Sequence, residues 1–304
     1  MLSRNFLSIG DLTVSKILSI LNGAVEIKNG ALSDCLQDKI IALIFEKPSL
    51  RTRVSFEVGI RQMGGQCIYL SREDVGLGDR EPVEDVARVL DRWVDGIVAR
   101  VFSHQNLQIL AEYTSIPVVN ALSDLEHPCQ AIGDLLTIQE HKLYLDNLNL
   151  TFVGDGNNVA SSLALACASV GINFVLASPE DYQIPPFVLE EARRRGCISG
   201  AKVQWVESPE LAIQDADVVY TDVWVSMGQE SKETEKAKAF SKYQVNEVLM
   251  NGARQDAIFM HDMPAHRGQE ISDIMLTHPQ SVVFDQAENR LHAQKAILVD
   301  LFSE

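Results

Sequence analysis

Short apolar segments rich in β-branched residues alternate with longer segments of helical period along most of this chain. The first pair is the apolar run at 40–45, which is followed by a helical pattern at 51–63. Such alternation is typical of parallel sheets, because a crossover connection must separate one parallel strand from the next. The sequence therefore predicts an α/β fold in which parallel β-sheets are flanked by helices.

The predicted elements form two groups. In the first group, strands are predicted at 40–45, 66–70, 96–102 and 116–119, and helices at 51–63, 82–93, 106–113 and 128–141. In the second group, strands are predicted at 150–153, 173–177, 202–206, 217–220, 257–260 and 281–284, and helices at 159–170 and 286–302. A largely polar stretch at 141–149 separates the groups, and 304 residues suffice for two cores. We expect one domain from residues 1–140, with the C-terminal helix at 286–304 packing back onto it, and a second from residues 141–285.

The charge and the cysteine content of the chain indicate which kinds of binding partner and which cellular compartment to expect. With 26 basic and 42 acidic side chains, the net charge is −16, which disfavours nucleic acid and anionic membranes as partners. No apolar run approaches the roughly 18 residues of a spanning helix. The five cysteines are scattered without a CxxC pair, so neither a disulfide framework nor a zinc knuckle is predicted, and we expect a cytoplasmic protein.

The segment FEKPSLRTRVSFE places hydroxyl groups and arginines where a buried strand ends and a helix begins. Backbone N–H groups at a helix start, the hydroxyls of Ser49 and Thr52 and the guanidinium of Arg51 together suit a phosphate group. The alternative is that Ser49 is only a helix cap, with Arg51 and Arg53 exposed to solvent.

A second motif, HPCQAIGDLLT, places His127 and Gln130 at the start of a predicted helix. An imidazole and an amide can both hydrogen-bond a neutral carbonyl or amide group of a ligand. A histidine in front of a helix is also a common structural cap, so this motif alone does not decide between the two roles.

A third motif, VGDGNNVASSLA, follows a predicted strand and is similar to the glycine turn of dinucleotide-binding sites. Val159 stands where the third glycine of that turn would fall, so the fingerprint is incomplete. Binding of NAD by an oxidoreductase therefore stays open as an alternative.

Two further motifs, DVWVSMG and MHDMPAHRG, follow predicted strands, and the carboxyl ends of parallel strands are where ligands bind in open α/β sheets. The polar interval 221–241 is predicted to be a long loop, either mobile or a solvated linker. A metal site formed by His261, Asp262 and His266 matches no usual ligand spacing.

Taken together, these motifs resemble the aspartate and ornithine carbamoyltransferase superfamily over nearly the whole chain, with the ornithine-using branch as the nearer match. The resemblance implies that carbamoyl phosphate is bound by Ser49, Leu50, Arg51, Thr52, Arg100, His127, Gln130, Asp262, Met263 and Arg290. It implies that ornithine is bound by Asn158, Asp222, Ser226 and Met227, and that the catalytic residues are Arg51, Arg100, His127 and Asp262.

The resemblance also implies an activity. The carbamoyl group of carbamoyl phosphate would be transferred to the side-chain amine of L-ornithine, giving L-citrulline and phosphate, in arginine biosynthesis. It implies a homotrimer with sites at the chain interfaces, and no metal or redox cofactor. The alternatives are a different amine acceptor, such as putrescine or an N-acylated ornithine, and the NAD-binding oxidoreductase.

Two positions depart from the family pattern. Asp262 stands where relatives usually have the cysteine of His-Cys-Leu-Pro, and Gly76 stands where a glutamine commonly precedes Leu-Gly. We expect Asp262 to change the environment of the acceptor amine, and Gly76 to remove one contact to carbamoyl phosphate.

Overall fold

The computed structural model describes residues 5–31, 33–226, 228 and 230–303, and within these ranges the chain divides into two compact units. Unit 1 comprises residues 1–136 and 289–304, and unit 2 comprises residues 137–288. Each unit contains a parallel β-sheet flanked by helices, which confirms the predicted fold class. No helix in the described part of the chain is long and apolar enough to cross a membrane.

The sheet of unit 1 has the strand order β2-β1-β3-β4. Its strands are β1 (Ile40–Phe45), β2 (Gln66–Ser71), β3 (Gly96–Arg100) and β4 (Val118–Leu122). The helices that begin in this unit are α1 (Val14–Lys28), α2 (Leu50–Gln62), α3 (Arg72–Val75), α4 (Val83–Leu90), α5 (His104–Glu112) and α6 (Pro128–Lys142). The central strands β1 and β3 are apolar along nearly their whole length, as expected for parallel strands that are covered on both faces.

The order of the strands in unit 1 reverses between β1 and β3, which are neighbours although β2 lies between them in sequence. At this point Phe45 pairs with Arg100, and Arg100 pairs with Leu122 of β4. Three strands therefore end side by side at one edge of the sheet. Such a reversal point at the carboxyl ends of parallel strands is the usual ligand position in open α/β sheets.

The sheet of unit 2 has the order β7-β6-β5-β8-β9 and reverses between β5 and β8. Its strands are β5 (Asn149–Val153), β6 (Asn173–Ala177), β7 (Val203–Val206), β8 (Val218–Thr221) and β9 (Ile258–His261). The remaining helices are α7 (Asn158–Val170), α8 (Pro186–Ser199), α9 (Pro209–Ala212), α10 (Glu233–Ala239), α11 (Glu247–Met250) and α12 (Val283–Phe302), and short 3-10 helices occur at Ile9–Asp11, Glu180–Tyr182, Glu230–Lys232 and Met275–Thr277.

Two sequence predictions need correction. The strand predicted at 281–284 is wrong: Val283 begins helix α12, and Ser281 only forms an isolated bridge to Phe259. A short apolar run does not by itself distinguish a strand from the buried start of a helix. The interval 221–241 is not a loop throughout, because it contains helix α10. The predicted elements also lacked six of the helices, namely α1, α3, α8, α9, α10 and α11.

We predict that Gly156→Ala destabilises the fold by about 2 kcal/mol or more, because an added Cβ would lie 2.3 Å from the backbone nitrogen of Ile184. Gly23→Ala is the control. Its Cβ would meet only the Cβ of Ala296 at 3.8 Å, and alanine is the better helix former, so this variant should be neutral or more stable. Urea denaturation followed by circular dichroism measures both, and equal midpoints for the two variants would contradict the steric argument.

Candidate functional site

The turn after β1 forms the start of helix α2, and Ser49 caps it. The Ser49 hydroxyl accepts a hydrogen bond from the Thr52 backbone N–H at 3.3 Å and donates to Thr52 Oγ1 at 3.0 Å. Leu50 has an exposed side chain, so its available polar contribution is its backbone. Arg51 is half-buried in the first helical turn. The cap and the phosphate-binding interpretation are therefore compatible, because the cap orients a helix N-terminus that carries an arginine.

Two arginines that are distant in sequence are buried in unit 1. Arg100 ends β3, and Arg290 lies on α12; their exposed fractions are 7% and 3%. Arg290 Nη2 donates to Thr52 Oγ1 at 2.7 Å, which links α12 to the Ser49 turn. Buried guanidinium groups are costly unless negative charge or hydrogen-bond acceptors surround them, so this part of unit 1 suits an anionic ligand.

His127 is buried in front of helix α6. Burial lowers its pKa well below the ordinary value of 6.5, and the positive charges of Arg290 and Arg100 lower the pKa further. The imidazole is therefore neutral near pH 7, with one N–H to donate and one nitrogen to accept. It is suited to polarise an uncharged carbonyl group.

Cys129 and Gln130 follow His127 in the first turn of α6. Burial raises the pKa of the Cys129 thiol to about 12, and its Sγ donates to the backbone carbonyl of Asn120 at 3.3 Å. Cys129 is therefore a buried thiol and not a nucleophile. Gln130 Nε2 donates to Asp134 Oδ1 at 2.7 Å, while Gln130 Oε1 is buried and has no partner in the described ranges.

In unit 2 the glycine-rich turn after β5 is held by Asn157, which was not among the predicted site residues. Its Oδ1 accepts hydrogen bonds from the backbone N–H groups of Val159 and Ala160 and so caps α7. Its Nδ2 donates to Asp222 Oδ2 at 2.7 Å. The preference for asparagine at helix caps was the available signal. Asn158, which was selected, is the first residue of α7 and is half-buried.

Asp222 and Asp262 follow neighbouring strands and form a pair of carboxyl groups. Thr221 pairs with His261 in the sheet, so the next residue of each strand lies alongside the other. Burial raises the pKa of Asp222 well above its ordinary value, and the negative charge of Asp262 and a hydrogen bond to it raise the pKa further. Two adjacent carboxyl groups, one of them buried, favour a cationic ligand. Asp262 and Met263, which the family resemblance assigns to carbamoyl phosphate, both lie in unit 2.

His261 lies close to this carboxyl pair, but its imidazole holds the backbone. Ligand atoms of Asp222, His261 and Asp262 lie within 4.8 Å of one another. However, Nδ1 accepts a hydrogen bond from the Met263 backbone N–H at 2.9 Å, and Nε2 lies 3.3 Å from Glu270 Oε1. Both ring nitrogens are therefore already engaged. His266, the other histidine of the motif, is exposed.

Helix α10 is tied to the glycine-rich turn by a buried ion pair. Lys236 Nζ lies 2.6 Å from Asp155 Oδ2, and only 3% of Lys236 is exposed. Burial raises the pKa of Asp155, and the charge of Lys236 opposes that rise. The ring of Phe240 packs edge-on against the ring of Tyr182, with 4.9 Å between the ring centroids, and stacks on the ring of Trp224, with 5.8 Å between the centroids.

The two predicted ligand residues before helix α10 have different outcomes. Ser226 is half-buried, and Met227 lies outside the described residues.

Comparisons with known proteins match both units to domains of the same enzyme family. A family model for the carbamoyl-P binding domain of aspartate/ornithine carbamoyltransferase matches residues 4–140, and the model for the Asp/Orn binding domain matches residues 146–301. The ornithine carbamoyltransferase of Thermococcus kodakarensis is 49% identical over 97% of this chain and 95% of that protein. The one from Archaeoglobus fulgidus is 45% identical over 99% of this chain and 98% of that protein.

Solved structures are also similar to this chain over nearly its whole length. The ornithine carbamoyltransferase from Pyrococcus furiosus has a TM-score of 0.94 and 46% identity, covering 98% of this chain and 96% of that one. An acetylornithine transcarbamylase complexed with acetylcitrulline has a TM-score of 0.91 and 30% identity, covering 99% of each chain. These similarities favour carbamoyl transfer over dinucleotide binding.

We predict that Lys236→Met releases helix α10, because it leaves Asp155 buried without its counter-charge, and breaking a buried pair costs about 3–5 kcal/mol. The measurement is cleavage by a protease that cuts after glutamate, since the segment carries Glu233 and Glu235 and neither lysine substitution removes such a site. Lys238→Met, at an exposed position of the same helix, is the control and should be cleaved at the parent rate. Equal cleavage of both variants would refute the role of the ion pair.

Proposed function

Because the chain belongs to the aspartate/ornithine carbamoyltransferase family, we propose that it transfers the carbamoyl group of carbamoyl phosphate to the side-chain amine of L-ornithine. The products are L-citrulline and phosphate, and the reaction serves arginine biosynthesis. The observation that carries this proposal is the opposite character of the two units. Unit 1 buries arginines around a helix N-terminus, and unit 2 buries a pair of carboxyl groups.

The carbamoyl phosphate domain comprises residues 1–140 together with 286–304. The phosphate group is bound by Arg51, Arg100 and the Ser49 turn, including the backbone of Leu50. The carbamoyl group is held by His127, Gln130, Thr52 and Arg290. The family resemblance also assigns Asp262 and Met263 to carbamoyl phosphate. The hydrogen bond from Arg290 to Thr52 supports a shared role for these two residues.

The ornithine domain comprises residues 141–285. Asp222 binds the α-ammonium group of ornithine, while Asn158, Ser226 and Met227 bind its α-carboxylate. The hydrogen bond from Asn157 to Asp222 supports this assignment, because it fixes the carboxyl group without neutralising it. Ornithine carries two amines and one carboxylate, so its net positive charge suits a site that contains both Asp222 and Asp262.

The chemistry follows from these charges. The neutral side-chain amine attacks the carbonyl carbon, the new C–N bond forms, the C–O bond to phosphate breaks with its electron pair going to the phosphate oxygen, and the departing phosphate takes up the proton that the nitrogen loses. Neutral His127 donates its N–H to the carbonyl oxygen, and the arginines stabilise the departing phosphate. An alkylamine of pKa about 10.4 must first lose a proton, which costs about 4–5 kcal/mol at pH 7. Orientation and electrostatics supply the catalysis, and no protein nucleophile takes part.

Assembly, location and cofactor use complete the proposal. Three copies form a homotrimer, as the family resemblance implies, and the enzyme acts in the cytoplasm, where its five cysteines remain free thiols as they are in the described ranges. The transfer is not a redox reaction, and carbamoyl phosphate carries its own leaving group, so the proposed reaction uses no cofactor.

A colorimetric assay for carbamoylated product tests the proposal with ornithine, N-acetylornithine, putrescine and aspartate as acceptors. We expect product with ornithine alone. The acetylornithine transcarbamylase among the solved structures makes N-acetylornithine the main rival acceptor. Product only with another amine would replace ornithine as the substrate, and no product with any acceptor would refute carbamoyl transfer.

We predict that Arg51→Ala lowers kcat/KM for carbamoyl phosphate by about 2–4 kcal/mol of transition-state stabilisation, because a charge-assisted contact to phosphate is lost. Arg53→Ala is the matched control in the same helical turn. The Arg53 guanidinium pairs with Glu57 at 2.7 Å and lies over the Tyr69 ring at 3.7 Å, so its loss should leave the kinetics unchanged. Steady-state kinetics with both variants decides, and parent-like values for Arg51→Ala would remove it from the phosphate site.

We predict that Asp262→Asn and Asp262→Cys move the acid limb of the ornithine KM profile to lower pH. Removing the negative charge of Asp262 lowers the pKa of Asp222, which then stays ionised, and able to bind ammonium, at lower pH. Steady-state KM measured across pH tests this, with Asp273→Asn, at an exposed carboxylate of the same unit, as the control. If both Asp262 variants reproduce the parent profile, Asp262 does not act on the ornithine site.

A further inference from the structure

Helix α6 carries two buried polar residues whose side chains form a hydrogen bond that the sequence motifs did not predict. Gln130 and Asp134 are one helical turn apart, with exposed fractions of 1% and 0%, and Gln130 Nε2 donates to Asp134 Oδ1 at 2.7 Å. Asp134 thus holds a side chain that the proposed function assigns to the carbamoyl group.

The hydrogen bond to Asp134 determines which end of the Gln130 amide faces away from Asp134. The NH₂ group of Gln130 donates to Oδ1 of Asp134, which accepts. Its carbonyl oxygen Oε1 is then directed to the remaining side, where it is buried without a partner in the described part of the chain. A buried acceptor without a donor is costly, which indicates that a ligand supplies the donor.

The position of Gln130 indicates which ligand this is. Gln130 lies three residues after His127, whose imidazole is influenced by the charges of Arg290 and Arg100. One residue before Asp134, Gly133 packs against α12, since a Cβ at that position would lie 3.4 Å from Cα of Arg290. The acceptor therefore belongs to the same part of unit 1 as the groups proposed to hold carbamoyl phosphate.

We propose that Asp134 is a positioning residue that makes Gln130 a hydrogen-bond acceptor for the NH₂ group of carbamoyl phosphate, and thereby lets the site reject acyl phosphates that carry a methyl group there. This inference rests on the proposed function. Acetyl phosphate has the same phosphate and carbonyl groups and differs only in having CH₃ in place of NH₂. It leaves Oε1 unpaired, and sites built around a substrate N–H discriminate strongly against analogues that lack it.

The test compares two ligands in one assay of citrulline formation: KM for carbamoyl phosphate, and the inhibition constant of acetyl phosphate against it. Asp134→Asn can present either an NH₂ group or an oxygen to Gln130, so the amide of Gln130 is no longer fixed. We expect carbamoyl phosphate to bind roughly tenfold more weakly and acetyl phosphate to bind as before. Glu140→Gln, an exposed carboxylate on the same helix, is the matched control and should change neither constant.

A double-mutant cycle separates positioning from a general structural role. In a Gln130→Met background the acceptor is absent, so adding Asp134→Asn should no longer alter the ratio of the two constants. Gln130→Met by itself also tests the acceptor if Asp134→Asn does not fold, because it should lower the preference for carbamoyl phosphate while Asp134 stays in place.

The outcomes distinguish this inference from the proposed function. If the parent protein makes no citrulline, the proposed function fails and the inference fails with it. If the parent makes citrulline but Asp134→Asn weakens both ligands equally, Asp134 is only structural and this inference alone is overturned. The same holds if Gln130→Met keeps the parent preference.

Discussion

The cost of burying charge governs the arrangement of both units. An isolated ion inside a protein is strongly unfavourable, so buried charged side chains occur where partners, ligands or a shifted protonation state compensate them. In unit 1 the positive charges of two buried arginines help to keep a buried histidine neutral. In unit 2 one buried carboxyl group faces another, and its pKa rises in response. The two units therefore prepare environments of opposite sign, although the chain as a whole is strongly acidic.

Sheet topology determines where the charged groups lie within each unit. Both sheets reverse their strand order once, between β1 and β3 in unit 1 and between β5 and β8 in unit 2. At each reversal the loops that follow the two strands diverge and leave room at the carboxyl edge. Arg100 and the Ser49 turn occupy that edge in unit 1, and the glycine-rich turn and Asp222 occupy it in unit 2. Supporting groups then arrive from more distant elements, Arg290 from α12 and Lys236 from α10.

Local patterns made much of this arrangement predictable from the sequence. The Ser49 turn could be identified because strand, cap and arginine are contiguous, and the alternation of strands and helices predicted two parallel sheets. The pairing of Asp222 with Asp262 could not be deduced, because it depends on the register of two strands 40 residues apart in sequence, with Val218 opposite Ile258. Lys236 escaped notice because one lysine in a polar run carries no sign that it is buried. The error at 281–284 arose from two valines and a phenylalanine that suit a strand or a helix start equally well.

The protonation of Cys129 has a consequence for the chemical durability of unit 1. Oxidants and alkylating reagents react with thiolates, and a buried thiol with a pKa of about 12 is almost never ionised under physiological conditions. The thiol is also buried and donates a hydrogen bond to the backbone carbonyl of Asn120 in β4. Peroxide or electrophile stress should therefore leave the HPCQ segment unmodified until the fold itself opens, so that chemical modification of Cys129 reports unfolding of unit 1 and not the redox state of its surroundings.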